Sequence, residues 1–384
     1  MKARQRHATR RLSHGALIVL ATLGSHSHPA ADPPAPADGA TRPFYMGFTP
    51  FPYDMTADAV SATNRFVREN GDLVAHHFDA GVPWTEALED KPFHPALSRK
   101  WQEHKELEAG KKVLLSLTPL DGGRKGMALY RGKDENMPLP EAFQNKAFDD
   151  PDVTRAYLNY CRRAVEHFRP DYLAIGIEVN ELFHHSPQKW PAFVALYRHT
   201  YDALKKEHPG LPIFATVTLH NLTNPGWKDR ERQQAAIREF LQYNDLAGIS
   251  YYPFMAGHSE TPTATFDWIR RFTDKPLAVA ETGYPAETVT LKSFNLTIPS
   301  DPKRQADYFE TLLKTARRDQ YVFVAAFLHR DYDALWNKIK AFSPEAFVVW
   351  KDCGLLDETG TERPALAVWR RCFSLEHAPA KPRP

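Results

Sequence analysis

Residues 277–285 read LAVAETGYP, and this segment decides the fold prediction. Its first four residues are apolar, and a continuous apolar run is typical of a strand buried in a parallel sheet. Glu281 follows directly, before a Thr-Gly-Tyr-Pro turn. In barrel and doubly wound enzymes, the C-terminal ends of the strands carry the chemistry. Glu281 is therefore a candidate catalytic residue, and the alternative is a carboxylate that only caps the turn.

Apolar runs of this kind alternate with helical patterns along the chain. The predicted strands are residues 44–48, 72–78, 112–117, 172–179, 212–219, 246–252, 277–280 and 321–328. The predicted helices are residues 56–70, 97–109, 151–168, 187–208, 228–243, 265–272, 301–318 and 363–372. Strands that alternate with helices, without a second domain boundary, predict a single-domain α/β fold, the (β/α)8 TIM barrel.

A doubly wound sheet is the main alternative to the barrel. It usually shows a Gly-rich phosphate-binding turn after its first strand, whereas residues 49–52 read TPFP. Residues 118–150 form a long irregular segment rich in Gly, Pro and charged residues. Loops of that length inside a compact domain are often functional. The barrel is favoured, and this loop is a candidate wall of its cleft.

The N-terminus has the features of a signal for export. Five basic residues occur in the first eleven, and the apolar run at 15–24 is too short to span a bilayer comfortably. Residues 1–31 are predicted to be a signal peptide, and residues 32–43 a Pro/Ala-rich disordered leader. The catalytic domain is predicted at 44–373 and a disordered tail at 374–384. We expect a secreted or periplasmic protein that does not associate with the membrane after cleavage.

The composition is that of an ordinary globular protein, with 42% hydrophobic and 25% charged residues. Without the five basic residues of the N-terminus, the formal charge of +2 becomes −3, so no nucleic-acid surface is indicated. We expect a monomer. Cys353 and Cys372 flank the last apolar segment and are candidates for a disulfide, although a sequence does not give their separation. Cys161 is expected to be a buried thiol.

Two predicted strands end in a carboxylate. Asn180 and Glu181 follow the fourth strand and Glu281 follows the seventh, on opposite sides of a barrel mouth. Such a pair suits the cleavage of a glycosidic bond, because one carboxyl group protonates the leaving oxygen while the other attacks the anomeric carbon. In retaining enzymes the two groups lie about 5–5.5 Å apart. This chemistry needs no cofactor and no metal ion.

These residues resemble those of the clan of retaining glycoside hydrolases with (β/α)8 barrels. Residues 247–254 (AGISYYPF) and 275–285 (KPLAVAETGYP) resemble glycoside hydrolase family 53, the endo-β-1,4-galactanases. The Glu-Thr-Gly-aromatic-Pro turn is also similar to the family 17 endo-β-1,3-glucanases. The resemblance implies that Glu181 is the acid/base and Glu281 the nucleophile.

Three positions depart from the family pattern. Val179 occupies the glycine position of the usual Gly-Asn-Glu. Residues 329–332 (HRDY), at the end of the eighth strand, lack the Trp that often forms the floor of the sugar site. Residues 76–79 (HHFD), at the end of the second strand, replace a plain Arg. These departures leave the identity of the substrate open.

Polar side chains near the two predicted catalytic residues are candidates for supporting roles. Asn180 is expected to hydrogen-bond a sugar 2-hydroxyl, a contact that strengthens in the transition state. Tyr251 or Tyr252 is expected to donate its hydroxyl to Glu281. Since neighbouring strand residues point to opposite faces, only one of the two tyrosines can do so. A core aromatic residue is the alternative for each.

Four further residues are candidates for contacts with the sugar. His77 and Asp79 follow the second strand, and Trp84 and Trp336 fall in segments after strands, where an indole can stack on a sugar face. Packing within the protein is the alternative for each of them. Glu178 is interpreted differently, as a buried carboxylate paired within the barrel, with an Arg as the possible partner.

The predicted function is a secreted retaining endo-β-glycosidase that acts on a galactan- or arabinogalactan-type polysaccharide or oligosaccharide. An endo-β-1,3-glucanase of the same clan is the alternative. A non-catalytic carbohydrate-binding barrel would keep the fold but lose a carboxylate, and both are present here. A metal-dependent hydrolase would use the histidines at 76–77 and 184–185, but the first strand lacks the His-x-His that such barrels typically have.

Overall fold

The computed structural model describes residues 40–256 and 262–378. By its internal contacts the chain separates into residues 1–36 and 37–384, and every described residue belongs to the second unit. The predicted signal peptide and most of the predicted leader therefore lie outside the described residues. Within the described part, no helix combines the length and the apolar character needed to cross a membrane.

Parallel strands form the barrel predicted from the sequence. They are β1 (Tyr45–Phe48), β2 (Leu73–Phe78), β3 (Lys112–Leu117), β4 (Tyr172–Ala174), β5 (Ile213–Phe214 and Thr216–Thr218), β6 (Ala247–Tyr251), β7 (Leu277–Thr282) and β8 (Phe323–Ala326). The sheet has nine strands because β5 is interrupted at Ala215. The first half of β5 pairs with β4 and the second half with β6, and β8 pairs with both β1 and β7. The (β/α)8 barrel is confirmed.

Helices follow the strands and surround the barrel. They are α1 (Ala57–Asn70), α2 (Trp84–Leu88), α3 (Pro95–Lys105), α4 (Pro151–Phe168), α5 (Val179–His185), α6 (Trp190–Glu207), α7 (Leu219–Thr223), α8 (Arg230–Phe240), α9 (Thr263–Phe272), α10 (Pro302–Arg318), α11 (Asp333–Ile339) and α12 (Pro364–Phe373). A β-hairpin (Val289–Leu291 and Leu296–Ile298) lies between β7 and α10. A cluster of buried apolar side chains that includes Leu114, Phe214 and Phe323 contributes to the core.

Capping residues account for several helix boundaries. The Thr56 side chain accepts a hydrogen bond from the Ala59 amide at 3.2 Å and caps α1. Asp150 accepts one from the Asp152 amide at 2.9 Å, immediately before the proline that begins α4. Each such cap stabilises its helix by about 1 kcal/mol. The caps are local features, so the sequence predicts these starts well.

The fourth strand is shorter than predicted. Its pairing ends at Ala174, although the Ile175 amide still donates a hydrogen bond to the Phe214 carbonyl of β5. Glu178 adopts the left-handed conformation, with φ of +53°, and α5 begins at the next residue. Asn180 and Glu181 therefore lie in the first turn of a helix, and not at the end of a strand. This change reorients both side chains.

The ends of the predicted catalytic domain also need a correction. Thr41–Arg42 and Glu376–His377 form a parallel pair, so parts of the predicted disordered leader and tail are ordered. The reason is the buried Arg42, whose guanidinium donates to the Asp72 carboxylate at 2.5 Å and to the Phe44 carbonyl at 2.7 Å. The disulfide considered for Cys353 and Cys372 is not formed, since both are free, buried thiols. Cys161 is a buried thiol, as expected.

His76, buried on β2, and His104, half-buried on α3, predict a loss of stability in acid. His76 Nδ1 lies 3.0 Å from His104 Nδ1, and His76 Nε2 lies 3.2 Å from Glu108. Burial lowers the pKa of both imidazoles below its ordinary value. Below about pH 6.5, the unfolded chain therefore takes up protons that the folded chain does not. The free energy of unfolding thus decreases as the pH is lowered.

We expect His104→Phe to reduce this acid dependence between pH 6.5 and 5. The expected difference in slope is up to about 1.4 kcal/mol per pH unit, which is the contribution of one titrating group. Urea unfolding at a series of pH values measures it. The exposed His199 of α6, changed to Phe, is the matched control. Parallel curves for wild type and His104→Phe would contradict the prediction.

Candidate active site

Carboxylates gather at the C-terminal ends of the barrel strands. Asp79 follows β2, Glu178 follows β4, Glu181 lies in α5, and Glu281 lies in the last part of β7. The C-terminal face is where barrels of this kind carry their active sites. The neighbours of these four side chains decide what each can do.

Both oxygens of the Glu281 carboxylate are held by protein groups. Tyr252 donates its hydroxyl to Oε1, and His77 Nδ1 lies 3.1 Å from Oε2. Tyr252 is thus the tyrosine that contacts Glu281. Tyr251 points away and packs its ring against Phe266, with 5.2 Å between the ring centres. The predicted alternation is observed, and the site role considered for Tyr251 does not fit the structure.

His77 links Glu281 to a second carboxylate. Its Nε2 lies 3.4 Å from Asp79 Oδ2. Burial by itself would lower the pKa of His77, but the charges of Asp79 and Glu281 outweigh it and raise this pKa to about 10. His77 is therefore an imidazolium at neutral pH, and it supplies a positive charge where the family pattern has an Arg.

Arg124 comes from the long loop between β3 and α4, and the sequence analysis did not predict it. Its Nη2 lies 3.2 Å from Asp79 Oδ2, and its Nε lies 3.4 Å from Glu178 Oε2. Its Nη1 also donates to the Asp121 carbonyl at 3.1 Å. The residue is buried and has a φ of +53°. The loop was predicted to be functional, but no pattern within it marks this residue.

Glu178 is paired with an arginine, as interpreted from the sequence, but it also faces the site. Ser250 donates its hydroxyl to Glu178 Oε1 at 2.6 Å. Burial raises the pKa of Glu178, the charge of Arg124 opposes this, and the charge of Glu281 adds to it. Residues 176–178 read Gly-Ile-Glu and so keep the spacing of the family's Gly-Asn-Glu. Glu178 is thus a second candidate for the acid/base.

Glu181 is a neighbour of Glu178, and the two carboxylates have different hydrogen-bond partners. Asn221 donates its side-chain amide to Glu181 Oε1, and His185 Nε2 lies 3.6 Å from Oε2. Burial, followed by the charge of Glu178, raises the pKa of Glu181 to about 7. The role of Glu181 as the acid stays a prediction, as does that of Glu281 as the nucleophile.

Two residues predicted to bind the sugar are occupied within the protein. The amide of Asn180 donates to the Thr218 carbonyl at 3.1 Å and accepts from the Thr218 amide at 2.7 Å. Its side chain is fully buried, so it has no free group for a sugar hydroxyl. Trp84 is also fully buried, and its indole donates to the Ala128 carbonyl at 2.8 Å. Neither side chain is available to a substrate.

Aromatic side chains other than those predicted lie near Glu281. Trp350 packs against Tyr252, with 4.3 Å between ring centres, and against Phe327, with 5.4 Å. Trp350 is half-buried and lies far along the chain from the end of β8. No sequence pattern marks Trp350, because the Trp expected from the family pattern follows the strand directly. Trp336 is half-buried on α11, which follows β8.

The histidines considered as metal ligands point to different partners. His77 contacts Glu281, whereas His184 Nδ1 lies 3.1 Å from Asp229 and His185 lies near Glu181. Among the described residues, carboxylates close enough to share an ion surround Asp331. Asp331 is already paired with the buried Arg363. Among the described residues, neither these histidines nor the carboxylates around Asp331 form a set of metal ligands at Glu281.

Comparison with known proteins agrees with this geometry. The sequence model of glycosyl hydrolase family 53 matches residues 140–328, just under half of the chain. This segment contains Glu178, Glu181, Tyr252 and Glu281. No curated protein matches the sequence.

Solved glycoside hydrolases share the fold at low sequence identity. The family 53 catalytic domain of Ignisphaera aggregans has 18% identity and a TM-score of 0.53, covering 81% of this chain and 88% of that one. A Streptomyces cattleya enzyme, described as GH5_18 in complex with GlcNAc, has 16% identity and a TM-score of 0.59, with 90% and 83% covered. Xylanase 10B of Thermotoga maritima has 11% identity and a TM-score of 0.55, with 86% and 95% covered.

The structural likeness supports the barrel, and the family match supports the activity. The carboxylates at the barrel mouth fit both, because hydrolysis of a glycosidic bond uses a pair of them. The chain is a glycoside hydrolase with a (β/α)8 barrel, it acts on carbohydrate, and it resembles family 53 over residues 140–328.

Proposed function

We propose that the protein is a retaining endo-β-glycosidase in which Glu281 is the nucleophile and Glu178 the acid/base. The observation that carries the proposal is that both carboxylates are held by protein groups at the barrel mouth, Glu281 by Tyr252 and His77 and Glu178 by Arg124 and Ser250. These contacts fix both oxygens of Glu281 and so orient its carboxylate for attack. Glu178 has a raised pKa, which suits a proton donor.

In the first step, Glu281 attacks the anomeric carbon. The bond from this carbon to the leaving oxygen breaks, and the proton of Glu178 passes to that oxygen. Glu281 is then joined to the sugar as an ester and carries no charge. The negative charge of the pair has moved to Glu178.

In the second step, Glu178 accepts a proton from water while the water oxygen attacks the anomeric carbon. The ester bond to Glu281 breaks, and both carboxyl groups return to their starting state. Two displacements at one carbon restore the original configuration. Trp350, which packs on Tyr252, offers an aromatic surface next to this site.

We propose a β-linked galactan or arabinogalactan as the substrate. The match to family 53 over residues 140–328 supports this choice. The turn after Glu281 is also similar to that of the endo-β-1,3-glucanases, which makes a β-1,3-glucan the alternative. The N-terminal sequence supports export as a signal-peptide-bearing protein, and we propose that the mature protein is a monomer.

A panel of polysaccharides tests the substrate. The purified protein is incubated with β-1,4-galactan, arabinogalactan, β-1,3-glucan and β-1,4-xylan, and new reducing ends are measured. We expect release from galactan as oligosaccharides with a rapid fall in viscosity, and proton NMR of the first products should show β-anomers. Activity should persist with EDTA. Products of inverted configuration, or activity on none of the polymers, would refute the proposal.

A further inference from the structure

Three charged side chains of alternating sign, His77, Asp79 and Arg124, connect the two proposed catalytic carboxylates. Glu281 lies 3.1 Å from His77, and His77 lies 3.4 Å from Asp79. Asp79 lies 3.2 Å from Arg124, and Arg124 lies 3.4 Å from Glu178. Besides Glu178 and Glu281, two parts of the chain build this row: the end of β2, with His77 and Asp79, and the β3–α4 loop, with Arg124. The row begins and ends at a group that changes charge in the proposed reaction.

We propose that Arg124 is a positioning residue for the second step, in which it favours the carboxylate form of Glu178 once Glu281 has lost its charge. The inference rests on the proposed function. It goes beyond that function because it assigns a role in the second step to a residue outside the catalytic pair. Arg124 is buried and always protonated, so its charge is present throughout the cycle.

Before the first step, opposing influences act on Glu178. Burial and the negative charge of Glu281 favour the protonated form, whereas Arg124 and His77 favour the carboxylate. The titratable and charged groups that face Glu178 are Arg124 from the β3–α4 loop, His77 from β2, Glu181 from α5, Tyr252 directly after β6 and Glu281 from β7. Asp79, directly after β2, contacts Arg124 and His77. The protonated form is needed at this stage, because Glu178 must give its proton to the leaving oxygen.

After the first step, only one of these influences has changed. Glu281 is an uncharged ester, so its repulsion of the Glu178 carboxylate is gone. Arg124 still lies 3.4 Å from Glu178, and Asp79 still holds the guanidinium at 3.2 Å. The protonation equilibrium of Glu178 therefore shifts to the carboxylate, which is the form that can accept a proton from water. Without Arg124, burial would keep Glu178 protonated and the ester would accumulate.

Carbon NMR of labelled carboxyl groups tests the inference without any substrate. Glu281→Gln imitates the loss of charge on Glu281, and we expect the pKa of Glu178 to fall by at least about one unit relative to wild type. Adding Arg124→Gln should raise the pKa of Glu178 again by at least about one unit. Adding Arg131→Gln should leave it unchanged. Arg131 is a buried arginine of the same loop that pairs with Glu135 at 3.7 Å.

A kinetic measurement checks the same inference during turnover. The probe is 2,4-dinitrophenyl β-1,4-galactobioside, whose leaving group needs no proton. Its first step should be unaffected in Arg124→Gln, while the second step slows about tenfold, as a shift of one pKa unit implies, so that a burst of dinitrophenol appears. Arg124→Met, which retains the length of the aliphatic side chain, replaces Arg124→Gln if the latter does not fold.

The inference is overturned if the titration of Glu178 in the Glu281→Gln background is the same with and without Arg124. It is also overturned if Arg131→Gln moves that titration as far as Arg124→Gln does, because the effect would then be structural. Neither NMR outcome depends on turnover. A failure of the polysaccharide panel would therefore count against the proposed function alone.

Discussion

Glu281→Ala is expected to lower turnover of galactan by at least about 10⁴-fold, because removing a catalytic nucleophile abolishes the covalent route. Tyr252 and His77 fix the two oxygens of Glu281. Among the described residues, no other carboxylate contacts both of these side chains, so none can replace Glu281. Release of reducing ends, followed over several hours with excess enzyme, measures the loss. Circular dichroism shows whether the variant is folded.

Azide distinguishes a lost nucleophile from a damaged site. In Glu281→Ala, the space left by the carboxylate admits azide, which attacks the anomeric carbon once and leaves an α-glycosyl azide when an activated glycoside is supplied. The exposed Glu239 of α8, changed to Ala, is the matched control and should retain wild-type activity. Wild-type turnover in Glu281→Ala would remove Glu281 from the mechanism.

Glu178→Gln and Glu181→Gln are expected to differ strongly. Glu178→Gln should lower turnover of galactan about 10³-fold, within the range for loss of a general acid. Glu181→Gln should cost less than about tenfold, because Glu181 accepts a hydrogen bond from Asn221 and the proton transfer is assigned to Glu178. Both substitutions retain the shape of the side chain, so the comparison isolates the ionisable proton. Initial rates on galactan at pH 6 measure it.

The leaving group provides the control for this pair. With a dinitrophenyl glycoside, which leaves without a proton, the first step of Glu178→Gln should approach that of wild type. Azide should then yield a β-glycosyl azide, the opposite anomer to that expected for Glu281→Ala. If Glu181→Gln instead shows the large loss and the leaving-group dependence, Glu181 is the acid/base and the assignment of Glu178 is wrong.

The sequence predicted the positions of the eight barrel strands and most helix starts. These features are local: a buried strand needs a run of apolar residues, and a capping side chain within three residues favours a helix start. Thr56 and Asp150 are observed as caps at the starts of the predicted helices 56–70 and 151–168. The carboxylates at the mouth were found for the same reason, because a charged residue directly after an apolar run departs from the local pattern.

Local sequence patterns did not predict which of Glu178 and Glu181 occupies the acid/base position. Extending β4 to residue 179 placed Glu178 inside the strand and Glu181 at its end. In the structure the backbone turns at Glu178, with φ of +53°, and α5 starts one residue later. Side-chain direction depends on backbone dihedral angles, so one residue in a left-handed conformation exchanges the two positions. The spacing of Gly176 and Glu178 was the signal that could have indicated it.

By itself, the sequence determined the fold class, the family resemblance and the presence of carboxylates at the barrel mouth, because each depends on residues that are close along the chain. The tertiary structure alone decided which side chains meet there. It placed Arg124 between Asp79 and Glu178, and it confined Asn180 and Trp84 to the interior. These contacts join residues tens of positions apart, and their formation depends on how loops fold back over the barrel rather than on any local pattern.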